Sequence, residues 1–266
     1  MTAGVLIFAF NNEQIDYLAM ANWSAKNIRR HLDLPVAVVT DQVVPDNYQF
    51  EQVIYTAPEG KNSRTFDDIL ESVTWFNGNR VDAYNLSPWT QTLLLDADYV
   101  VASDQLKQLF KVEQDFLAHS RAYDVTGQPS FDDHCSFGYY KMPMWWATVV
   151  MFRRSPRAKL IFEFMQMIRD NWSHYRSLYN ISRPTYRNDF ALSIALNIVN
   201  GHTLDHAGIP WSLASVGHNQ KLTQLEPDRY RVDFDAQDNR PKWIEFQQDF
   251  HAMGKGHLGA IVDNCS

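Results

Sequence analysis

The sequence predicts one α/β domain over residues 1–266, built on a mostly parallel sheet that is flanked by helices. Three observations support this fold class. The length of 266 residues and the 45% hydrophobic content are sufficient for one large core. The chain opens with a strand–helix–strand pattern, the unit from which parallel sheets are built. No linker, internal repeat or low-complexity segment divides the sequence.

The strand–helix–strand pattern lies in the N-terminal part of the chain. Val5–Phe10 is an apolar run of strand length, and Asn11 or Asn12 can cap the helix that follows. Val36–Val39 predicts the second strand, and Val53–Tyr55 adds a short third one. A crossover helix makes the flanking strands parallel, so their carboxyl ends meet at one edge of the sheet.

The rest of the chain alternates strands and helices. Ser87-Pro88 ends one helix and Ser155-Pro156 starts another. The irregular stretch from 127 to 146 is expected to be a substrate-facing loop. In chain order we predict a helix over 79–86, a buried strand over Leu93–Leu95, strands over 115–121 and 147–152, a long helix from Pro156, and a helix over Asp189–Val199.

Composition and charge argue against several classes of protein. The formal net charge of −7 disfavours a surface that follows nucleic-acid phosphates. The N-terminal MTAGVLIFAF lacks the basic residues and cleavage site of a signal peptide, and the longest apolar run, Met144–Phe152, is about half of a bilayer span. Two cysteines, Cys135 and Cys265, imply no disulfide framework. We therefore expect a cytoplasmic protein without a membrane span.

Two aspartates follow the buried strand Leu93–Leu95 in TQTLLLDADYVVAS. Neighbouring carboxylates repel each other, and burial of an unpaired one is costly. On a strand, Asp96 and Asp98 point the same way, toward the sheet edge at which ligands of open α/β sheets bind. A divalent cation between them would cancel the repulsion, and all-oxygen ligands favour Mg²⁺ or Mn²⁺. A simple capping turn is the alternative interpretation of Asp-x-Asp.

Four segments, in the same order along the chain, resemble those of glycogenin-like nucleotide-sugar glycosyltransferases of the family 8 type. NRVDAYNLSPWTQTLLLDADYVVASDQLKQLF (79–110) is similar to their metal-site segment, and WATVVMFRRS (146–155) to the strand that follows. RNDFALSIAL (187–196) is similar to the start of their active-site helix, and HAMGK (251–255) to a late histidine–glycine–lysine segment. The resemblance implies a single GT-A domain with a Rossmann-like sheet, and transfer of a sugar from a nucleotide-diphosphate donor, most simply a UDP-sugar.

The resemblance also implies a metal and diphosphate site. Asp96, Asp98 and His251 would hold Mn²⁺ or Mg²⁺ as the cofactor. Lys255 and Gly254 would meet the donor diphosphate, the first as a point charge and the second by permitting close backbone approach.

Arg80 and Tyr84 stand where the family carries a basic and an aromatic residue before its Asp-x-Asp. For Arg80, a phosphate contact and a surface salt bridge with Asp82 or Asp104 are both open. Ala97, between the two metal-binding aspartates, belongs to the donor-binding set.

The nucleotide pocket is implied at the end of the first strand. Ala9-Phe10-Asn11 matches the family segment in which an aromatic ring stacks on uracil. Phe10 or Tyr17 would take that role, and a core position is the alternative for either ring. Asp41, at the end of the second strand, would bind base or ribose edges.

Three positions depart from the family pattern. Residues 146–148 read Trp-Ala-Thr instead of the Asn-Ser-Gly that touches the donor sugar, so we expect a donor sugar other than glucose or galactose, either a hexose or a pentose. Asn188-Asp189 replaces Asp-Gln and is closer to the acidic pair of inverting enzymes, whose second member is the general base. Asp189 is thus either catalytic or a helix N-cap. The family's lysine position holds His257, and Lys255 is displaced from it.

Two other functions fit parts of the sequence. DADYVV resembles the first motif of a haloacid dehalogenase-like phosphatase, although a strand–helix–strand unit precedes it and Asp132-Asp133 follows a polar loop. A non-catalytic sugar-binding module would use the Trp145-Trp146 loop. For the acceptor, SFGYYKMPMWW offers stacking surfaces that suit a glycan or, against the acidic charge, an unpaired modified nucleobase. The oligomeric state is open.

Overall fold

The computed structural model describes residues 2–65, 72–76, 78–130, 134–203, 208–234 and 241–264. Within them the helices are α1 (Tyr17–Leu32), α2 (Ala83–Leu86), α3 (Pro156–Asp170), α4 (Trp172–Leu178), α5 (Asn188–Val199) and α6 (Lys255–Asn264), with 3₁₀ helices at Gly78–Asp82 and Gln105–Phe110. The strands are β1 (Ala3–Phe8), β2 (Val36–Thr40), β3 (Gln52–Tyr55), β4 (Lys61–Thr65), β5 (Ser72–Phe76), β6 (Gln91–Asp96), β7 (Tyr99–Val100), β8 (Phe116–His119), β9 (Ala122–Asp124), β10 (Ser136–Phe137), β11 (Met142–Pro143), β12 (Trp146–Arg153), β13 (Leu213–Val216), β14 (Lys221–Glu226), β15 (Arg229–Asp233), β16 (Trp243–Phe246) and β17 (Phe250–Ala252).

The central sheet confirms the predicted α/β fold with a mostly parallel sheet. In the described part of the chain its strand order is β3-β2-β1-β6-β12-β8. Strands β3, β2, β1 and β6 pair in parallel, whereas β12 runs antiparallel to both β6 and β8. The carboxyl ends of β1 and β6 therefore lie side by side, with Phe8 opposite Asp96.

The apolar runs of β1 and β6 form the centre of the main core. Val5, Leu6 and Ile7 of β1 are fully buried, as are Leu93 and Leu95 of β6. Strands that are covered by helices on the sheet faces read as continuous apolar runs. Here α5 packs against β12 and α3, and α1 packs against β2. This packing fixes the strand ends that form the site described below.

The helix α1 begins later than the sequence predicts. Its N-cap is Asp16, whose side chain accepts a hydrogen bond from the Ala19 amide, so neither Asn11 nor Asn12 is the capping residue. The Asn11 side chain nevertheless reaches the same helix end and accepts from the Leu18 amide. Asn11 thus supports α1 from the preceding loop.

The other predicted elements are present, with shifted ends. The helix predicted over 79–86 is a 3₁₀ turn followed by α2, and α5 starts at Asn188 instead of Asp189. Ser155 caps α3 by accepting from the Ala158 amide. The β4–β5 hairpin is not predicted, because its polar first strand lacks the alternation of a half-buried strand.

A second, smaller sheet connects the late part of the chain to the end of β6. Its order is β7-β17-β13-β9. Strand β7 follows β6 after the turn formed by Ala97 and Asp98, and its antiparallel pairing with β17 sets His251 opposite Tyr99. A second core lies here and includes the fully buried Phe250. The topology thereby brings a late histidine to an early pair of aspartates.

Two expectations from composition can be compared with the structure. Among the described helices, none combines the length and the apolar character that a membrane crossing needs. Cys135 is an exposed free cysteine, while Cys265 lies outside the described residues.

Candidate active site

A cavity of about 880 Å³ lies at the carboxyl ends of β1 and β6. This is where open α/β sheets bind their ligands. Its wall also includes the start of β12, the start of α5, and the residues that lead from β17 into α6. The predicted site residues on this wall are Phe10, Tyr17, Arg80, Asp96, Ala97, Asp98, Asn188, Asp189, His251, Gly254 and Lys255.

Three predicted nucleotide-binding residues are not on the cavity wall. Ala9 is fully buried, and its amide donates to the Val39 carbonyl within the sheet. Asn11 holds the start of α1. Asp41 is exposed beyond the end of β2, where its side chain accepts from Gln42. A donor-binding role for these three residues stays a prediction.

Asp96, Asp98 and His251 converge on one point of the cavity. One candidate ligand atom from each side chain lies within 4.8 Å of the other two. Because β6 ends at Asp96, the two carboxylates come together through a turn and not through the pleat of one strand. The pairing of β7 with β17 then adds the imidazole.

Both carboxylates have a cationic partner within the protein. Asp96 pairs with the Arg80 guanidinium at 2.7 Å, and Asp98 pairs with the Lys255 ammonium. His251 Nε2 lies 3.3 Å from Asp98 Oδ2. These ion pairs offset the repulsion between the two carboxylates, because the half-buried Asp96 and the buried Asp98 each face an opposite charge.

Arg80 is a buried anchor. It is 5% exposed, and its ion pair is with Asp96, so the interpretation as a surface salt bridge with Asp82 or Asp104 is wrong. It also donates hydrogen bonds to backbone carbonyls at the end of β6 and the start of β12, those of Leu95, Ala147 and Thr148. Arg80 therefore fixes the Asp96 carboxylate against two neighbouring strands.

The electrostatics of His251 suit a metal ligand. Burial lowers the pKa of His251, although Asp96 and Asp189 oppose this by raising it. The imidazole is therefore neutral near neutral pH, which is the form that coordinates metals. Two carboxylates and one neutral imidazole make a donor set that fits a divalent cation.

Asp189 lies in the first turn of α5 but does not cap that helix. The N-cap position belongs to Arg187, and the helix has no side-chain cap bond, so the N-cap interpretation is wrong. Asp189 Oδ1 accepts from the Ala147 amide at 2.9 Å, and Oδ2 pairs with Arg187 at 2.8 Å. Its neighbour Asn188 accepts a hydrogen bond from the Tyr186 hydroxyl. The carboxylate thus joins α5 to β12 at the cavity wall.

The start of α6 forms the part of the wall that follows His251. A Cβ atom on Gly254 would lie 3.2 Å from the His218 carbonyl oxygen, so the close approach there favours glycine. The first amides of a helix have no acceptors within it and carry partial positive charge. With Lys255 as its first residue, the start of α6 can bind an anion.

Aromatic rings line the cavity near β1 and α1. Phe10 and Tyr17 are on the wall, together with Phe8. Burial, assisted by Asp96, raises the pKa of Tyr17 to about 12, so its hydroxyl remains protonated. An apolar aromatic wall beside charged groups suits a ligand with a flat ring and an anionic end.

Some wall residues are not predicted from the sequence. Arg187 lies over the rings of Trp146 and Phe190, at 5.7 and 5.1 Å from their centroids. It immediately precedes the predicted catalytic pair, and that position is a sequence signal for it. Trp75 on β5 and His218 after β13 also line the cavity, and no local motif marks either one.

The sequence matches no protein-family model and no curated protein. Similar solved structures include the glycosyltransferase GlyE of Streptococcus pneumoniae TIGR4, 13% identical over 75% of this chain with a TM-score of 0.41; the chain spans 43% of the length of that structure. An active-site mutant of LgtC is 12% identical over 73% of this chain and 69% of its own, with a TM-score of 0.47. The galactosyltransferase LgtC in complex with donor and acceptor sugar analogs is 13% identical over 73% of this chain and 70% of its own, with a TM-score of 0.46. Likeness at this level is partial and carries no functional conclusion.

Proposed function

We propose that the protein is a divalent-cation-dependent glycosyltransferase that uses a nucleotide-diphosphate sugar, most simply a UDP-sugar. The observation that carries this proposal is the convergence of Asp96, Asp98 and His251 at the carboxyl end of β6, inside one cavity. Small-molecule pockets measure about 300–1,000 Å³. The cavity of about 880 Å³ therefore has room for a donor of this size.

The residues of the triad fit Mn²⁺ or Mg²⁺ as the cofactor. Both carboxylates offer oxygens, and the neutral His251 offers a lone pair. Such an ion supplies Lewis-acid stabilisation of the charge that develops on the diphosphate as the sugar–phosphate bond breaks. Arg80 supports this role because it fixes the Asp96 carboxylate in one orientation.

The start of α6 is the proposed contact for the diphosphate. Gly254, where a Cβ atom would crowd the His218 carbonyl, lines the cavity at this helix start, and Lys255 adds a point charge. The positive end of a helix favours an anion by about 0.3–1 kcal/mol. Phe10 or Tyr17 would face the base at the aromatic end of the same cavity.

Asp189 and Asn188 are the proposed residues at the reacting centre. In an inverting reaction, Asp189 would accept the proton of the acceptor hydroxyl while that oxygen attacks the anomeric carbon. In a retaining reaction, it would stabilise positive charge on the sugar from the far side. The bond from the Ala147 amide supports either role because it fixes the carboxylate. The anomeric configuration of the product, read by NMR, distinguishes the two.

A glycan hydroxyl is the proposed acceptor. Trp75, half-buried on the cavity wall, offers a ring on which a sugar can stack, whereas Trp146 is 3% exposed and lies under Arg187. The net charge of −7 opposes the approach of a nucleic acid, so a modified nucleobase is less favoured.

The test is metal-dependent hydrolysis of candidate donors. UDP-hexoses, UDP-pentoses and GDP-sugars are incubated with the protein and Mn²⁺ or Mg²⁺, with EDTA as the metal-free control. Release of free sugar and nucleoside diphosphate only with metal would support the proposal. Asp98→Asn, which keeps the size of the side chain, should abolish that release.

Other outcomes identify the alternatives. Metal-dependent UDP binding without turnover of any donor or acceptor would indicate a non-catalytic sugar-binding module. Release of inorganic phosphate from sugar phosphates would indicate the haloacid dehalogenase-like phosphatase. The phosphatase is not favoured, since the Asp96 carboxylate is already paired with a buried guanidinium. Its second acidic pair, Asp132-Asp133, lies outside the described residues.

A further inference from the structure

Each carboxylate on the described cavity wall is paired with a basic side chain. Asp96 pairs with Arg80, Asp98 with Lys255, and Asp189 with Arg187. A divalent cation that binds Asp98 must compete with the cation already there. We propose, on the basis of the function proposed above, that Lys255 is this competitor: it holds Asp98 in the metal-free protein and moves to the diphosphate when metal and nucleotide bind.

The two basic partners of the metal-binding aspartates differ in their freedom to move. The Arg80 guanidinium is buried and donates to three backbone carbonyls besides its ion pair. The planar group is therefore held on several sides. Lys255 is a single ammonium on a flexible stem, 19% exposed, which also donates to the Ala252 carbonyl at 3.1 Å. Of the two, Lys255 is the partner that can leave its carboxylate.

The position of Lys255 also gives its ammonium a second anion to bind. It is the first residue of α6, between Gly254 and Gly256, and all three line the cavity. A Cβ atom on Gly256 would have no neighbour within 4 Å, so open space adjoins the lysine. A diphosphate at the start of α6 would attract the ammonium away from Asp98.

This exchange couples metal binding to nucleotide binding. The nucleotide removes the competitor from Asp98, so it should tighten Mn²⁺ binding beyond any direct contact between phosphate and metal. Linkage is reciprocal, so Mn²⁺ should tighten nucleotide binding by the same factor. Couplings of this kind are typically about 5- to 150-fold.

The test measures Mn²⁺ affinity by electron paramagnetic resonance of the free ion, with and without UDP. Lys255→Met removes the charge and keeps an unbranched stem, and Lys255→Gln is a second neutral variant should the first fail to fold. Lys255→Arg keeps a cation that can pair with Asp98. Lys159→Met removes a lysine that is exposed on α3 and pairs with Glu163, and it serves as the matched control.

The neutral variants should change the affinities for Mn²⁺ and UDP in opposite directions. Without nucleotide, a neutral residue at position 255 should tighten Mn²⁺ binding by at least about fivefold. The same variants should bind UDP more weakly and lose most of the UDP-dependent gain in Mn²⁺ affinity. Lys255→Arg should keep the Mn²⁺ affinity measured without nucleotide near the wild-type value, and the Lys159 control should retain the wild-type coupling.

The experiment distinguishes failure of the lysine competition from failure of the proposed metal site. If wild-type protein binds Mn²⁺ and UDP but both neutral variants bind Mn²⁺ alone no more tightly, the competition is disproved while the proposed function stands. If wild-type protein binds Mn²⁺ neither with nor without UDP, the metal site itself is disproved, and both proposals fall.

Discussion

The two walls that supply the candidate metal-binding triad are built differently. The central wall, formed by the ends of β1 and β6 and carrying Asp96, rests on strands whose middle residues are fully buried. The late wall, formed by β17 and the start of α6 and carrying His251 and Lys255, rests on a sheet of short strands, in which the 3 residues of β17 pair with β7 and β13. A sheet of short strands has a lower density of backbone contacts than one of long strands, and regions of low contact density open locally at lower cost. We therefore expect the frame that carries Asp96 to be stiffer than the one that carries His251 and Lys255.

The largest effect is expected at Asp189, which is tied through the Ala147 amide to β12, the strand paired with β6. Asp189→Asn should lower the transfer rate by about 10²–10⁴-fold, because the amide cannot act as a base. Asparagine can still accept from Ala147 but loses the ion pair with Arg187, so Mn²⁺–UDP binding should change little and stability should fall only modestly. Single-turnover transfer, calorimetry and urea unfolding measure the three quantities. A transfer rate close to that of the wild-type protein would show that Asp189 has only a structural role.

A matched pair of core substitutions compares the walls directly. Leu94 lies in β6 of the main core and Leu222 in β14 of the second core, and both are buried. Leu94→Ala should cost about 2–5 kcal/mol of unfolding free energy and leave Mn²⁺ affinity unchanged until the protein unfolds. Leu222→Ala should cost less globally, because the smaller core relaxes more, and should weaken Mn²⁺ binding by loosening His251. If Leu94→Ala weakened Mn²⁺ binding and Leu222→Ala did not, the distinction between the walls would be contradicted.

At the junction of the walls, Asp98→Asn should weaken Mn²⁺ binding by at least about 100-fold, since loss of an outer-shell partner already costs about 10–100-fold. Asparagine is preferable to alanine because it leaves an acceptor beside Lys255. Asp41→Asn, an exposed acid off the cavity wall, is the control for metal binding alone. Equal affinity in wild-type and Asp98→Asn proteins would exclude Asp98 as a ligand.

The smallest effect concerns Asp249, just before β17, which accepts from the Ala102 amide and the Ser103 hydroxyl. Burial raises its pKa to about 6, although these hydrogen bonds oppose the shift. The folded protein therefore binds a proton that the unfolded chain has released, so the contribution of Asp249 to stability is highest below about pH 4 and falls as pH rises to about 6.

Asp249→Asn lacks this titration. Between about pH 4 and about pH 7, the stability of wild-type protein relative to the variant should fall by at most about 3 kcal/mol, since one pKa unit corresponds to about 1.4 kcal/mol. Urea unfolding of both proteins across this range measures the difference. A difference independent of pH would show that the carboxyl group titrates alike in both states.

The sequence predicts the central wall well because local patterns encode it. The apolar run Leu93–Leu95, followed by two acids, is enough to place a strand end and a candidate ligand pair. The late wall is different: β17 has 3 residues, and its position depends on pairing with β7, a contact between distant parts of the chain. His251 is found only through a family resemblance.

The ion pairs of the site also could not be predicted from local sequence patterns. Neither the pairing of Arg80 with Asp96 nor that of Lys255 with Asp98 follows from spacing, because each depends on how strands and helices meet in three dimensions. The predicted N-cap of α1 is wrong for a related reason. Asn11 and Asn12 are both good capping residues, and only the path of the loop selects Asp16.

His251 follows Asp98 by 153 positions, and this separation also sets the order in which a ribosome supplies the parts of the site. Asp96 meets Arg80 early, within one stretch of nascent chain, whereas Asp98 gains both His251 and Lys255 only after β17 and α6 have been synthesised. At about 5–20 residues per second, that interval lasts about 8–30 s. Throughout it the growing chain carries a carboxylate with neither its imidazole nor its ammonium partner, so the three side chains of the candidate site can come together only after β17 has been synthesised.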